Sequence, residues 1–327
     1  MALGEFDLIA KYFTRPARAG AARDAGVELG IGDDCALLRP PPAGVQWAVS
    51  CDMLVEGRHF LSTVAPERLA HKALAVNLSD LAACGAQPRA FTLALALPRA
   101  DEAFLAPFAA GLFALADAQG IELVGGDTTA GPLNLCIAVF GEVPAGQALL
   151  RSGARAGDEL WVSGTLGDAR LALEVFRGTR SLAGGDFESV RRAMELPQPR
   201  VALGLALRGI AGSAIDVSDG LLGDLGHILQ RSGVGASLQV DALPRSAVLA
   251  AQPLEVQRQC GLTGGDDYEL LFSAPAARHE AVRAAGRSTG VPVTPIGRIE
   301  AAPGLRLWDA AGRPVTAVER GFDHFKS

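Results

Sequence analysis

Two hydrophobic periods alternate along this chain of 327 residues. Short apolar or period-two runs predict strands at VQWAVSCDM (45–53), FTLALALP (91–98), IELVGGD (121–127) and LNLCIAVFGEV (133–143). The same signal recurs at ELWVSG (159–164), AIDVS (214–218), ASLQVD (236–241), YELLFSA (268–274) and VTPIGRIE (293–300). LRLWDAAGRPV (305–315) predicts a closing strand and hairpin. Helical spacing predicts a helix from about Pro66 to Ala83, and another carrying Phe104, Phe108, Leu112 and Leu115. Further helical patterns run through about residue 211 and over LLGDLGHILQ (221–230). IELVGGD reads as a strand running into a loop at its glycines.

Several strand pairs follow each other too closely for a helical crossover, so an α+β fold is expected rather than a purely parallel sheet. VPAGQALLRSGARAGDEL (143–160), rich in Gly, Ala and charge, marks the expected domain boundary. Two mixed α/β domains follow, at 1–146 and 147–327. Length allows a real core in each.

Composition narrows the field. Apolar residues make up 49% and charged residues 20%, as in ordinary globular proteins. A net charge of −6 without a basic patch argues against a nucleic-acid partner. No apolar stretch reaches the length of a membrane span, and MALGEFDLIAKYF lacks the pattern of a secretory leader. Cysteines at 35, 51, 84, 136 and 260 form no Cys-x-x-Cys, which fits reduced thiols and a cytoplasmic location.

The usual phosphate and hydrolase templates are missing: there is no P-loop, no Gly-x-Gly-x-x-Gly, no His-Glu-x-x-His and no Gly-x-Ser-x-Gly. What stands out is a series of aspartates, most beside glycine and after an apolar run: GIGDD (30–34), SCD (50–52), GGDTT (125–129), IDVSDG (215–220) and GGDDYE (264–269). One Gly-Asp pair is ordinarily a turn or a helix cap. Five at expected strand ends, where a carboxylate points into a cleft, suggest a site. Asp80 adds to them from HKALAVNLSDLAACGA (71–86), a helical pattern nearly all small and apolar. A buried carboxylate there needs a cation, either a salt-bridge partner such as Lys72 or Arg89, or a metal.

Magnesium accounts for both features. It takes oxygen ligands and bridges carboxylates to substrate phosphates, which lets an acidic site accept an anionic nucleotide. Asp216 and Asp219 then hold metal at a strand end, Gly220 frees the turn, and Leu221, Leu225, Ile228 and Leu229 seat the following helix.

The ordered set GIGDDCALL, HKALAVNLSDLAACGAQP, GGDTTAGP, RSGARAGDEL, AIDVSDGL and GGDDYEL resembles the thiamine-monophosphate kinase family, from GEFDLIAKYF (4–13) to GFDHF (321–325). The resemblance implies a two-domain fold of the aminoimidazole ribonucleotide synthetase-like ATPases, with N-terminal domains pairing into a dimer barrel. It implies transfer of the γ-phosphoryl group of ATP to thiamine phosphate, with several Mg2+ ions. Carried to this chain, the metal ligands are Asp34, Ser50, Cys51, Asp52, Asp80, Asp127, Asp216 and Asp219. Of these, Asp52, Asp127 and Asp219 are the catalytic set. Gly126, Asp127, Arg151 and Ser218 meet the nucleotide; His59, Asp266 and Phe322 face thiamine phosphate. Two positions depart from the family pattern: Cys51 replaces a threonine and Asp266 a glutamate. Alternatives are another ATPase of the superfamily, of selenophosphate synthetase or hydrogenase-maturation type, and a non-catalytic cation- or nucleotide-binding protein.

Overall fold

Residues 4–15 and 26–316 are described by the computed structural model, and they divide into two units. The described residues up to Leu81, with Ala86–Gly146, make the first. Ala82–Gly85 and the residues from Gln147 onward make the second.

The first unit opens with α1 (Glu5–Leu8), which runs into a wider turn at Ile9–Phe13. An antiparallel ribbon of β1 (Val27–Leu29) and β2 (Leu37–Leu38) follows. The main sheet comprises β3 (Val45–Val55), β4 (Gln87–Leu97), β5 (Glu122–Ala130) and β6 (Asn134–Pro144), in the order β3-β6-β4-β5. Its pairings are antiparallel except β4 with β5. The latter two are joined by α3 (Glu102–Gln119), a crossover of the kind parallel strands require. Asp101 caps that helix by accepting the Ala103 amide, and Gly120, with φ of 65°, ends it.

The other long helix, α2 (Pro66–Cys84), buries Leu69, Leu74, Leu78 and Leu81, while α3 buries Leu105, Phe108 and Leu112. A full burial of this kind contributes roughly 1.5–3 kcal/mol per side chain. The helices touch where Gly111 leaves room, since a Cβ there would lie 2.2 Å from the Glu67 carbonyl oxygen. On the sheet, Leu54, Leu93, Leu95, Leu135, Ile137 and Val139 are buried. The alternate residues of β3 are not: Val49 is 61% and Met53 54% exposed. One face of β3 therefore presents apolar side chains to the outside.

The second unit is built on β7 (Glu159–Ser163), β8 (Ser213–Asp216), β9 (Gly235–Gln239), β10 (Leu270–Ala274), β11 (Val293–Glu300) and β12 (Gly304–Trp308), in the order β12-β9-β11-β7-β10-β8. All pairings are antiparallel save β12 with β9. Its helices are α4 (Asp168–Phe176), α5 (Gly184–Glu195), α6 (Val201–Ala206), α7 (Leu221–Ser232), α8 (Ala247–Ala250), α9 (Leu254–Thr263) and α10 (His279–Thr289). Leu221, Leu225 and Ile228 of α7 join Leu160, Val162, Ile215 and Leu271 in one core, as the heptad-like spacing of that helix requires. A second cluster, with Leu171, Val190, Leu249 and Val256, binds α4, α5, α8 and α9 together.

One expectation of the fold changes. β5 does not end at its glycines but runs through GGDTT to Ala130, paired with β4. A bulge after Leu123 lets it continue, and Gly126 (φ 143°) admits the neighbouring strand: a Cβ there would stand 1.9 Å from the Leu93 carbonyl oxygen. The closing segment forms the expected strand and hairpin: β12 pairs with β9, and a turn at Asp309–Gly312 brings Pro314 back beside Trp308. Among the described residues no helix is long and apolar enough to cross a membrane, and no disulfide joins the five cysteines.

Candidate active site

In the first unit, three of the singled-out residues are brought together by β3 and α2. Period-two alternation places Ser50 and Asp52 on the same side of β3 as the buried Leu54. The Ser50 hydroxyl donates to the Asp80 carboxylate on α2. The Asp52 amide donates to Asn77 Oδ1 at 3.0 Å, and Asn77 Nδ2 donates to the Ala73 carbonyl at 3.0 Å. Asn77, fully buried one turn before Asp80, thus ties the carboxylate-bearing strand to the carboxylate-bearing helix. Asp80 is half-buried and accepts the Ser50 hydroxyl; Arg89 pairs with Glu142 at 2.9 Å.

The same alternation turns the Cys51 side chain to the opposite face, with Val49 and Met53. Its thiol lies 3.3 Å from that of Cys136. Burial, then the neighbouring Cys51, pushes the Cys136 thiol up to about 11. The thiol at position 51 therefore does not share the side of Ser50 and Asp52. Only its carbonyl could join them, as a hard cation requires.

His59 closes the turn after β3: its Nδ1 accepts the Val55 amide at 2.9 Å, and its carbonyl accepts Lys72 Nζ at 3.2 Å. One ring nitrogen is thus committed to the backbone, which fixes the orientation of the imidazole. Asp34 is exposed in the loop between β1 and β2, its amide held by the Asp33 carboxylate at 2.9 Å. Asp127 is exposed within β5, in register with Ala94. Asp52 and Asp127 consequently lie inside strands, not at strand ends as the sequence suggests.

In the second unit, two loops at the ends of β8 and β10 meet. Asp216 is the last residue of β8 and is 5% exposed. Ser218 and Asp219 follow in the turn to α7. From the facing loop, the Asp266 amide donates to the Ser218 carbonyl at 2.9 Å and the Tyr268 amide to that of Val217 at 2.8 Å. Glycines make this approach feasible: a Cβ on Gly265 would lie 2.4 Å from the Ser218 carbonyl oxygen, and one on Gly220 2.9 Å from the Thr263 backbone.

That facing loop is strained. Asp266 and Tyr268 are its two non-glycine residues with positive φ, 67° and 51°. The Tyr268 hydroxyl donates to Asp266 Oδ1 at 3.1 Å, which fixes the carboxylate directly. Between them, Asp267 accepts the Gly167 amide with both oxygens, at 2.9 and 3.0 Å. Burial pushes its carboxyl well above the usual range against that hydrogen bond. Glu269 is held by Ser163 and, in a bidentate pair, by Arg200.

Beside Tyr268, a second residue of this region was hidden in the sequence. Asp224, on the first turn of α7, accepts the amides of Ser218 at 3.1 Å and Asp219 at 3.2 Å. Burial, reinforced by Asp219, pushes its carboxyl up to about 7 despite those donors. An acid in a first helical turn is commonplace, so nothing marked it. Arg151 is exposed, its carbonyl accepting the Ser232 hydroxyl at 3.2 Å. Phe322 lies outside the described residues.

The candidate ligands are thus divided. Asp34, Ser50, Cys51, Asp52, Asp80 and Asp127 belong to the first unit, Asp216 and Asp219 to the second. Among the described residues no group of three or more His, Cys, Asp or Glu side chains stands ready to hold a metal ion.

Residues 32–143 match the family model described as AIR synthase related protein, N-terminal domain, and residues 155–310 match its C-terminal domain. The fold is accordingly that of an AIR synthase-related protein, mixed α/β with two such domains. The thiamine-monophosphate kinase of Salmonella typhimurium is 47% identical over 327 residues, covering 99% of both chains. A crystal structure of thiamine-monophosphate kinase from Stenotrophomonas maltophilia K279a is 44% identical with a TM-score of 0.84, over 96% of this chain and 99% of that one. AaThiL, solved complexed with AMPPCP and TMP, is 29% identical with a TM-score of 0.76, over 88% of this chain and 89% of that one. The chain belongs to the thiamine-monophosphate kinase family and is a kinase.

Proposed function

We propose that this protein transfers the γ-phosphoryl group of ATP directly to thiamine phosphate, giving thiamine diphosphate and ADP. The observation carrying this reading is the 47% identity to a thiamine-monophosphate kinase across 99% of the chain. The AMPPCP and TMP bound by AaThiL support ATP and thiamine phosphate as the substrates. Asp34, Ser50, Asp52, Asp80, Asp127, Asp216 and Asp219, with the Cys51 carbonyl, hold Mg2+. All offer hard oxygen donors, the set magnesium prefers. Gly126, Asp127, Arg151 and Ser218 contact the nucleotide. His59, Asp266 and Phe322 contact thiamine phosphate.

The acceptor needs no general base. A phosphate monoester has its second pKa near 6, so at pH 7 its oxygen is already a largely ionised nucleophile. Repulsion opposes the encounter: two unit charges 4 Å apart interact by about 4 kcal/mol at an effective dielectric of 20. When bound, Mg2+ supplies the positive charge that offsets this repulsion and the charge of the loose transition state. Asp52, Asp127 and Asp219 would be the carboxylates that hold it beside the reacting phosphates. Asp266, fixed by Tyr268, and His59, whose ring is oriented by the Val55 amide, align the acceptor in line with the γ-phosphorus.

The uncovered apolar face of β3 supports pairing of two first units into a dimer barrel, which removes the open sheet edges. The scattered cysteines without disulfides suit a cytoplasmic setting. Incubation of the purified protein with ATP, Mg2+ and thiamine phosphate, with chromatographic separation of products, tests the assignment. Thiamine diphosphate and ADP are expected in equal amounts. ADP without thiamine diphosphate points instead to another acceptor, and no turnover to a binding protein.

A further inference from the structure

The turn joining β8 to α7 is closed from inside by a carboxyl group of the protein itself. Consecutive amides such as those of Ser218, Asp219 and Gly220 form a concavity that ordinarily gathers an external anion. Here the side chain of Asp224, itself 3% exposed, fills that role: its Oδ2 accepts the Ser218 amide at 3.1 Å and the Asp219 amide at 3.2 Å. The side chains of Ser218 and Asp219 remain half-exposed on the other side of the turn. The turn has little slack elsewhere. The Ser218 carbonyl accepts the Asp266 amide at 2.9 Å, and Gly265 packs against that same oxygen.

We propose that Asp224 is a positioning residue for phosphoryl transfer, setting through the amides of Ser218 and Asp219 where those two side chains meet the magnesium nucleotide. The inference rests on the reading of Ser218 as a nucleotide contact and Asp219 as a metal ligand. Asp224 touches no substrate in this account; it acts through backbone it holds. Its effect therefore falls first on the nucleotide, since the acceptor-side Asp266 on the facing loop has its carboxylate held by Tyr268. Asparagine can turn its carbonyl oxygen toward the same amides, whereas alanine supplies no acceptor.

Steady-state kinetics of Asp224→Ala, Asp224→Asn and Asp219→Asn, in the full chain, separate these roles. Asp224→Ala is expected to raise KM for MgATP by ~10-fold or more, with KM for thiamine phosphate changed less than ~2-fold, the mark of a nucleotide-side loss. Asp224→Asn is expected to recover most of that loss. A normal KM for MgATP in Asp224→Ala, alongside an impaired Asp219→Asn, overturns the positioning role while sparing the site. An unaffected Asp219→Asn overturns the reading of the site and this inference with it. Equal increases in both KM values make Asp224 merely structural. Should Asp224→Ala fail to fold, hydrogen exchange in the unaltered protein decides. The amides of Ser218 and Asp219 are expected to be protected without nucleotide. Fast exchange that slows only on adding MgATP overturns the proposal.

Discussion

Asn77 accepts the backbone amide of Asp52 at 3.0 Å while anchored to the Ala73 carbonyl of its own helix. This bond explains why a polar residue stands in the buried face of α2. Replacing Asn77 by leucine leaves the Asp52 amide without that acceptor, a loss of about 1–3 kcal/mol. We expect a lowered denaturant midpoint and, at temperatures where the variant is folded, a fall in kcat as Asp52 and Asp80 lose their common anchor. Unchanged stability and turnover would show that the bond is dispensable.

A dimer built on the open face of β3 makes Met53 a sensitive position, since it is 54% exposed on that face. Met53→Lys places a charge in an apolar interface, where it is depleted for good reason. Light scattering should then report half the mass of the unaltered protein. If the unaltered protein is already monomeric, the dimer proposal is wrong.

Arg200 and Glu269 form a largely buried bidentate pair, with Ser163 on the same carboxylate. Removing one partner of such a pair typically costs about 3–5 kcal/mol because the other charge is stranded. Arg200→Met should therefore shift the thermal midpoint strongly downward. A double change to Arg200→Met with Glu269→Leu should recover much of the loss. Gly164→Ala tests the same spot from another side, since its Cβ would lie 1.9 Å from Glu269 Oε1.

Stability should also depend on pH through Asp224. Its carboxyl is raised from 3.8 to about 7, so the folded chain keeps a proton that the unfolded chain releases in between. Folding is then favoured at the acid end of that window, and stability falls as pH rises from about 4 to about 7, by on the order of 4 kcal/mol at most. Above that range this contribution is constant. Asp267, raised for the same reason of burial, acts in the same direction. In metal-free buffer, Asp224→Asn should be more stable than the unaltered protein at pH 8, with the advantage gone near pH 4. An advantage that grows toward acid contradicts the assignment.

Much of this was legible from periodicity. The alternation in VQWAVSCDM placed β3 and also fixes which residues share its faces, so the outward turn of Cys51 follows from counting by two. The spacing of Leu221, Leu225 and Ile228 gave α7 its buried stripe. The continuation of β5 through Gly125 and Gly126 was not legible. Glycines read as a loop unless the strand packed against them is known, and that strand lies some thirty residues earlier. Asn77, Asp224 and Tyr268 escaped for a related reason. Each acts by a hydrogen bond whose partner is set by tertiary placement, while its local pattern looks ordinary. The aspartate series was conspicuous, but its division between two units emerges only in three dimensions.

The proposal that aspartates of each unit hold metal is tested directly by titrating Mn2+ into the chelator-treated protein with an unreactive ATP analogue, following bound metal by electron paramagnetic resonance. Tight binding to the unaltered protein, weakened by Asp52→Asn and independently by Asp216→Asn, is the predicted result. Full-strength binding in both variants would contradict the account.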